Sequence, residues 1–166
     1  DEHVSTLQYH LAFHPIVWNF MTMGRAVMVI PSSGVDHNVI KKRLMEGGIT
    51  EDEIDSLLRV CTFGIPLAPK EPYIVRFEGK SAEEDYQEFI KTEEELMDKT
   101  GQPVLRIAGM DTLTSFYGSE AIMRFLNSAA TMTREKGNLD ILIIKPGYTE
   151  LSKKLSAMAD IHCKLT

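Results

Sequence analysis

Val104-Leu-Arg-Ile-Ala-Gly-Met-Asp-Thr-Leu-Thr-Ser-Phe-Tyr-Gly118 runs from an apolar stretch into a single acid, Asp111, followed at once by small hydroxyl residues. Helix-forming sequence flanks it on both sides. In a parallel α/β sheet an acid at this point sits at the carboxyl edge of a strand, where ligands bind. The competing reading is structural: a buried strand closed by a turn-forming Asp.

Working outward, strand and helix signals alternate. Upstream, Ala26-Val-Met-Val-Ile30 is a short continuous apolar run suited to a central parallel strand, with Pro31-Ser-Ser-Gly34 as the loop at its carboxyl end. Asp36 is placed to cap a helix with Val39, Ile40, Leu44 and Met45 on one face, and Gly47-Gly48 ends it. Thr50 with Glu53, and Ser81 with Glu84, read as capping boxes. Arg59–Phe63 reads as a strand and, beyond a proline-rich loop, Tyr73–Phe77 as a strand or an extended edge. The helix opened by Ser81 carries Tyr86, Phe89, Ile90, Leu96 and Met97 on one stripe. Its acids, including Glu83, Glu88, Glu93, Glu94 and Glu95, read as a solvated outer face.

Downstream, Ser119 is expected to cap a helix holding Ile122, Leu126, Ala129 and Ala130, stopped by Gly137-Asn138. Leu139–Ile144 is the most strand-like stretch, followed by the loop Lys145-Pro-Gly-Tyr148. A short helix over Leu151–Ala159 and a closing strand over Ile161–Leu165 complete the chain. Near the start, Pro15 divides an apolar helical region over Val4–Met23, because it lacks the amide for the helical bond. His10 and His14 stand at i and i+4, a spacing that can hold a metal, but no Glu follows the first in the metalloprotease pattern and packing is the favoured reading.

This alternation predicts an α/β fold over residues 1–166 as one domain, with a mainly parallel central sheet and helices on both faces. Four loops then gather at the carboxyl edge: Pro31–Gly34, Phe63–Pro72, Asp111–Ser115 and Lys145–Tyr148. A net charge of −6 argues against a general affinity for nucleic acid, which demands a basic face. No apolar run approaches a membrane span. Cys61 and Cys163 lie in apolar runs without zinc spacing, which points to reduced, buried thiols and a cytoplasmic setting. The chain starts at Asp1 without a methionine, leaving room for residues upstream.

The order of these elements resembles the RecA-like ATPases, and within them the KaiC-like proteins of archaea and cyanobacteria. Ser5-Thr-Leu-Gln-Tyr, the helix after it and Ala26–Ile30 look like the family's phosphate-loop end, first helix and second strand. Gly48-Ile-Thr-Glu-Asp-Glu-Ile-Asp-Ser-Leu-Leu-Arg-Val resembles its acidic helix leading into a strand. Met110-Asp-Thr-Leu-Thr is similar to its aspartate-hydroxyl signature at the Walker B position, and Leu155-Ser-Ala-Met-Ala-Asp-Ile-His-Cys-Lys-Leu to its last helix and strand. The resemblance implies ATP and magnesium as ligands. Asp111 would support the metal through water, with Thr112 or Thr114 assisting. Ser5 or Thr6 would touch metal or β-phosphate, and Lys145 would sense the γ-phosphate or else be a surface lysine beside Pro146.

Two departures bear on activity. A phosphate loop needs Gly-x-x-x-x-Gly-Lys-Ser/Thr, yet Asp1-Glu-His-Val4 offers neither glycine nor lysine, and its acids would repel a triphosphate. Pro31-Ser-Ser33 stands where the family places an acidic pair, and serine without an activating partner is no general base. The expectation is therefore a RecA/KaiC-like domain with an absent or degenerate phosphate loop, serving as a regulatory or assembly module in a homo-oligomer or with a protein partner. The alternative is an active ATPase whose phosphate loop lies upstream of Asp1. An unrelated α/β hydrolase or transferase is a third reading, though no Gly-x-Ser-x-Gly elbow is present.

Overall fold

The structure is a computed structural model and describes residues 14–64 and 70–161. The elements run α1 (residues 14–22), β1 (Val27–Ile30), α2 (His37–Glu46), α3 (Glu51–Leu57), β2 (Leu58–Phe63) and β3 (Ile74–Phe77). After these come α4 (Ala82–Thr100), β4 (Leu105–Gly109), α5 (Met110–Tyr117), α6 (Ser119–Lys136), β5 (Leu139–Ile143) and α7 (Thr149–Ser156). The five strands form one sheet in the order β3-β2-β1-β4-β5, every pair parallel. The α/β class, the parallel sheet and the strands read around Val27–Ile30, Leu105–Gly109 and Leu139–Ile143 are as the sequence predicts.

Both sheet faces are apolar, which is why the strands read as continuous hydrophobic runs. Val27 and Val29 of β1, Leu58 and Val60 of β2, and Leu105 and Ile107 of β4 share one face with Val17, Met21, Leu44 and Ile54 of α1, α2 and α3. The alternate residues Met28, Ile30, Cys61 and Phe63 pack on the opposite face with Leu96 of α4, and Leu113 and Tyr117 of α5 join them. Met110 of α5 and Ile122 of α6 continue that side with Leu151 and Leu155 of α7. Each such side chain contributes about 1.5–3 kcal/mol by leaving water, so these layers dominate the stability.

From β1 the chain moves to β2 with α2 and α3 on one face. From β4 it moves the opposite way to β5 with α5 and α6 on the other. Both crossovers then have the same hand. The loop leaving β1 and the helix leaving β4 depart to opposite faces although the two strands are neighbours, so their carboxyl ends form the topological switch point of the sheet.

The caps explain several boundaries. Asp36 accepts from the Asn38 amide, and Thr50 and Glu53 form the full reciprocal box. At Ser81 only the forward half is seen, its hydroxyl accepting from the Glu84 amide.

Three expectations are corrected. Asp111–Ser115 is helix, not loop: β4 passes directly into α5, with Gly109 as both the last strand residue and the N-cap of the helix. Ser119 is the first residue of α6 rather than its cap. Gly118, at φ 77°, makes the sharp turn between α5 and α6 that a side chain would resist. Glu93 is not on a solvated face but is wholly buried beneath α4. Arg106, mid-strand in β4, points to the same side and takes its carboxylate, while Lys136 of α6 lies 2.9 Å from its other oxygen.

Residues 14–22 form one continuous helix, so the division expected at Pro15 concerns residues outside those described. The closing strand over Ile161–Leu165 likewise falls outside them, apart from Ile161, which is exposed and not in a strand. Among the described residues no helix is long and apolar enough to cross a membrane.

Candidate functional site

The carboxyl ends of β1, β4 and β5 bring together residues from two loops and the first turn of α5. Asp111 stands in the first turn of α5 and is 5% exposed. Its Oδ2 accepts from the Ser33 amide at 3.0 Å and lies 2.8 Å from the Lys145 ammonium. Lys145, in the loop after β5, also donates to the Ser33 carbonyl at 2.9 Å. Thr112 donates its hydroxyl to the Pro31 carbonyl at 2.7 Å. Asp111, Thr112 and Lys145 therefore all clamp the Pro31–Ser33 loop.

Two polar atoms of this cluster have no partner among the described residues: Asp111 Oδ1 and Ser32 Oγ, both buried. A carboxylate oxygen and a hydroxyl so placed can accept from a metal-bound water or from a ligand's N–H or O–H groups. Among the described residues no three His, Cys, Asp or Glu side chains converge to bind a metal directly.

The close fit of the two strand ends rests on Gly109. A Cβ there would lie 2.6 Å from the Ser32 backbone, so only glycine lets the β1 loop settle against β4. Behind the clamp, an apolar cavity of about 60 Å³ lies between the sheet and the α1–α2 layer, with Ser32 and Lys145 on its wall.

Of the residues singled out in the sequence, Asp111, Thr112 and Lys145 meet in this site. Thr114 does not: its hydroxyl bonds back to the Met110 carbonyl within α5. Ser5 and Thr6 lie outside the described residues, as do His10 and Cys163. His14 takes the packing role, its Nε2 2.7 Å from the Arg43 carbonyl. Of the loop Phe63–Pro72, residues 65–69 lie outside those described. Ser32, Ser33 and Gly109 were not singled out as site residues. The one available signal was a glycine two positions before the acid, which marks a close backbone approach.

Cys61 is a buried free thiol, and burial pushes it well above its ordinary value. It lies on the α4 side of the sheet, in the core rather than beside Asp111.

Fold and site together define a parallel α/β domain with a buried polar cluster at its topological switch point. Comparison with known protein families, with curated proteins and with solved structures finds no match to this chain.

Proposed function

We propose that this chain is a RecA/KaiC-like domain serving as a regulatory or assembly module, one that binds ATP weakly or not at all and does not hydrolyse it. The observation that carries this reading is the Asp111–Lys145 pair. The acid that would support magnesium already has one oxygen engaged by Lys145 and by the Ser33 amide. Its work is to hold the β1 loop. Pro31-Ser-Ser33 supplies no carboxylate to polarise water, and Asp1-Glu-His-Val4 supplies no phosphate cradle.

Assembly is supported by the exposed apolar side chains on α1, α2 and the turn after α1, namely Ile16, Trp18, Val39, Met45 and Met23. The reading is of a cytoplasmic homo-oligomer, or of a domain that docks on a protein partner.

A second reading, an active ATPase with its phosphate loop upstream of Asp1, draws on one observation. Asp111 Oδ1 is free to accept from a water of the magnesium shell, with Lys145 close enough to sense a phosphate. A phosphate-release assay separates the two. The proposal expects no magnesium-dependent ATP turnover above that of Asp111→Ala, whereas turnover abolished by that substitution establishes the second reading.

A further inference from the structure

On the sheet face opposite α1 and α2, a cavity of about 110 Å³ lies between the sheet, α4 and α6. Its wall is largely aromatic and aliphatic, with Phe63, Phe89 and Phe125 among the larger groups, and the small Ala108 and Ala129 leave the space between them. The rings of Tyr86 and Phe125, on α4 and α6, meet across the gap with centroids 5.0 Å apart.

Polar ties at both ends keep the gap from collapsing. At one end Arg106 on β4 binds Glu93 of α4, Thr133 of α6 and Asp140 of β5. At the other, Tyr117 of α5 donates to Asp85 of α4 at 2.6 Å, and Asp85 also accepts from the Gly79 amide. Glu93 and Asp140 answer the Arg106 charge, and the Asp85 carboxylate accepts from two donors. No buried polar atom lacking a partner among the described residues belongs to the cavity wall.

A space so lined asks nothing of a ligand but shape and apolarity, since a polar guest would lose its water without replacement. An apolar cavity of ~150 Å³ stays dry and takes benzene or xenon. At about 110 Å³ and partly open to solvent, this one accepts a ligand of that size or slightly less.

We propose that this cavity is a binding site for small apolar molecules, about the size of one six-membered ring. The site is separate from the Asp111 cluster and stands whether or not the chain binds nucleotide.

The test uses the full chain with labelled methyl groups, titrated with benzene and followed by NMR. Saturable shifts are expected at the methyls of Leu113, Ile122, Leu126 and Leu142, with a dissociation constant on the order of millimolar. Ala129→Leu, which fills the space, should weaken binding by roughly tenfold or more. Ala108→Val serves the same purpose should the first variant fail to fold. No shift up to the solubility of benzene overturns the proposal, and so does binding that persists unchanged in a folded, filled variant. Self-association lost on filling would also overturn it, since the cavity would then be a socket for another chain.

Discussion

The Lys145 ammonium lies 2.8 Å from Asp111 Oδ2 and 2.9 Å from the Ser33 carbonyl, so one side chain ties the loop after β5 to both α5 and the loop after β1. Asp111 is nearly buried and Lys145 partly so, which makes this a stronger pair than an exposed one. Lys145→Met leaves the carboxylate with the Ser33 amide alone and should cost about 1–3 kcal/mol in urea unfolding. Asp111→Asn should cost a similar amount. The double variant should cost less than the sum, with a coupling of at least ~1 kcal/mol. Strict additivity would mean that the pair contributes nothing.

Gly109 allows Ser32 to rest on β4. Gly109→Ala places a methyl 2.6 Å from the Ser32 backbone, which cannot rotate away as a flexible side chain would. A loss of about 1–3 kcal/mol is expected from such overpacking. The Ser32 and Ser33 amide signals should shift in NMR more than those of α3, on the far side of β1.

Glu93 and its acidic neighbours on α4 should part company under mutation. Glu93→Ala leaves the buried Arg106 without one of its carboxylates and should cost about 3–5 kcal/mol. Glu84→Ala and Glu88→Ala, on the exposed side, should change stability by less than about 0.5 kcal/mol. Burial alone would lower the Arg106 guanidinium, yet Asp140 and Glu93 outweigh it and hold it above its ordinary value. Equal effects at Glu93 and Glu88 would refute the buried network.

Alkaline pH should weaken the fold through Cys61. The buried thiol stays protonated in the native state, whereas in the unfolded chain it ionises near pH 8.5. Above that pH the native state binds more protons than the unfolded one, so stability falls as pH rises, by up to ~1.4 kcal/mol per pH unit for one such group. Tyr117, raised chiefly by burial and then by Asp85, adds to the same trend above about pH 10. Unfolding curves between pH 7 and 10 should show a shallower decline in Cys61→Val. An unchanged slope would count against this account.

The fold was largely legible in the sequence because a parallel sheet covered on both faces writes itself as apolar runs. Val27–Ile30 and Leu105–Gly109 carry that signal, and Asp36 and Thr50 mark their helices through local bonds that depend on neighbours alone. What was not legible depends on distant contacts. Glu93 shares its stretch with acids that do face water, and only Arg106, thirteen positions on, distinguishes it. Asp111 was found because a strand ends beside it, but the role of Ser33 required the β1 loop to be placed against α5. Gly109 reads in sequence as a weakness in an apolar run. In the fold it is the contact that lets two strand ends meet.

Isothermal titration calorimetry with ATP and magnesium tests the central claim most directly. With Asp111 held by Lys145 and Ser33, and no phosphate-cradling loop in Asp1–Val4, the account predicts no saturable heat at micromolar nucleotide. A micromolar dissociation constant that Asp111→Ala abolishes would contradict it.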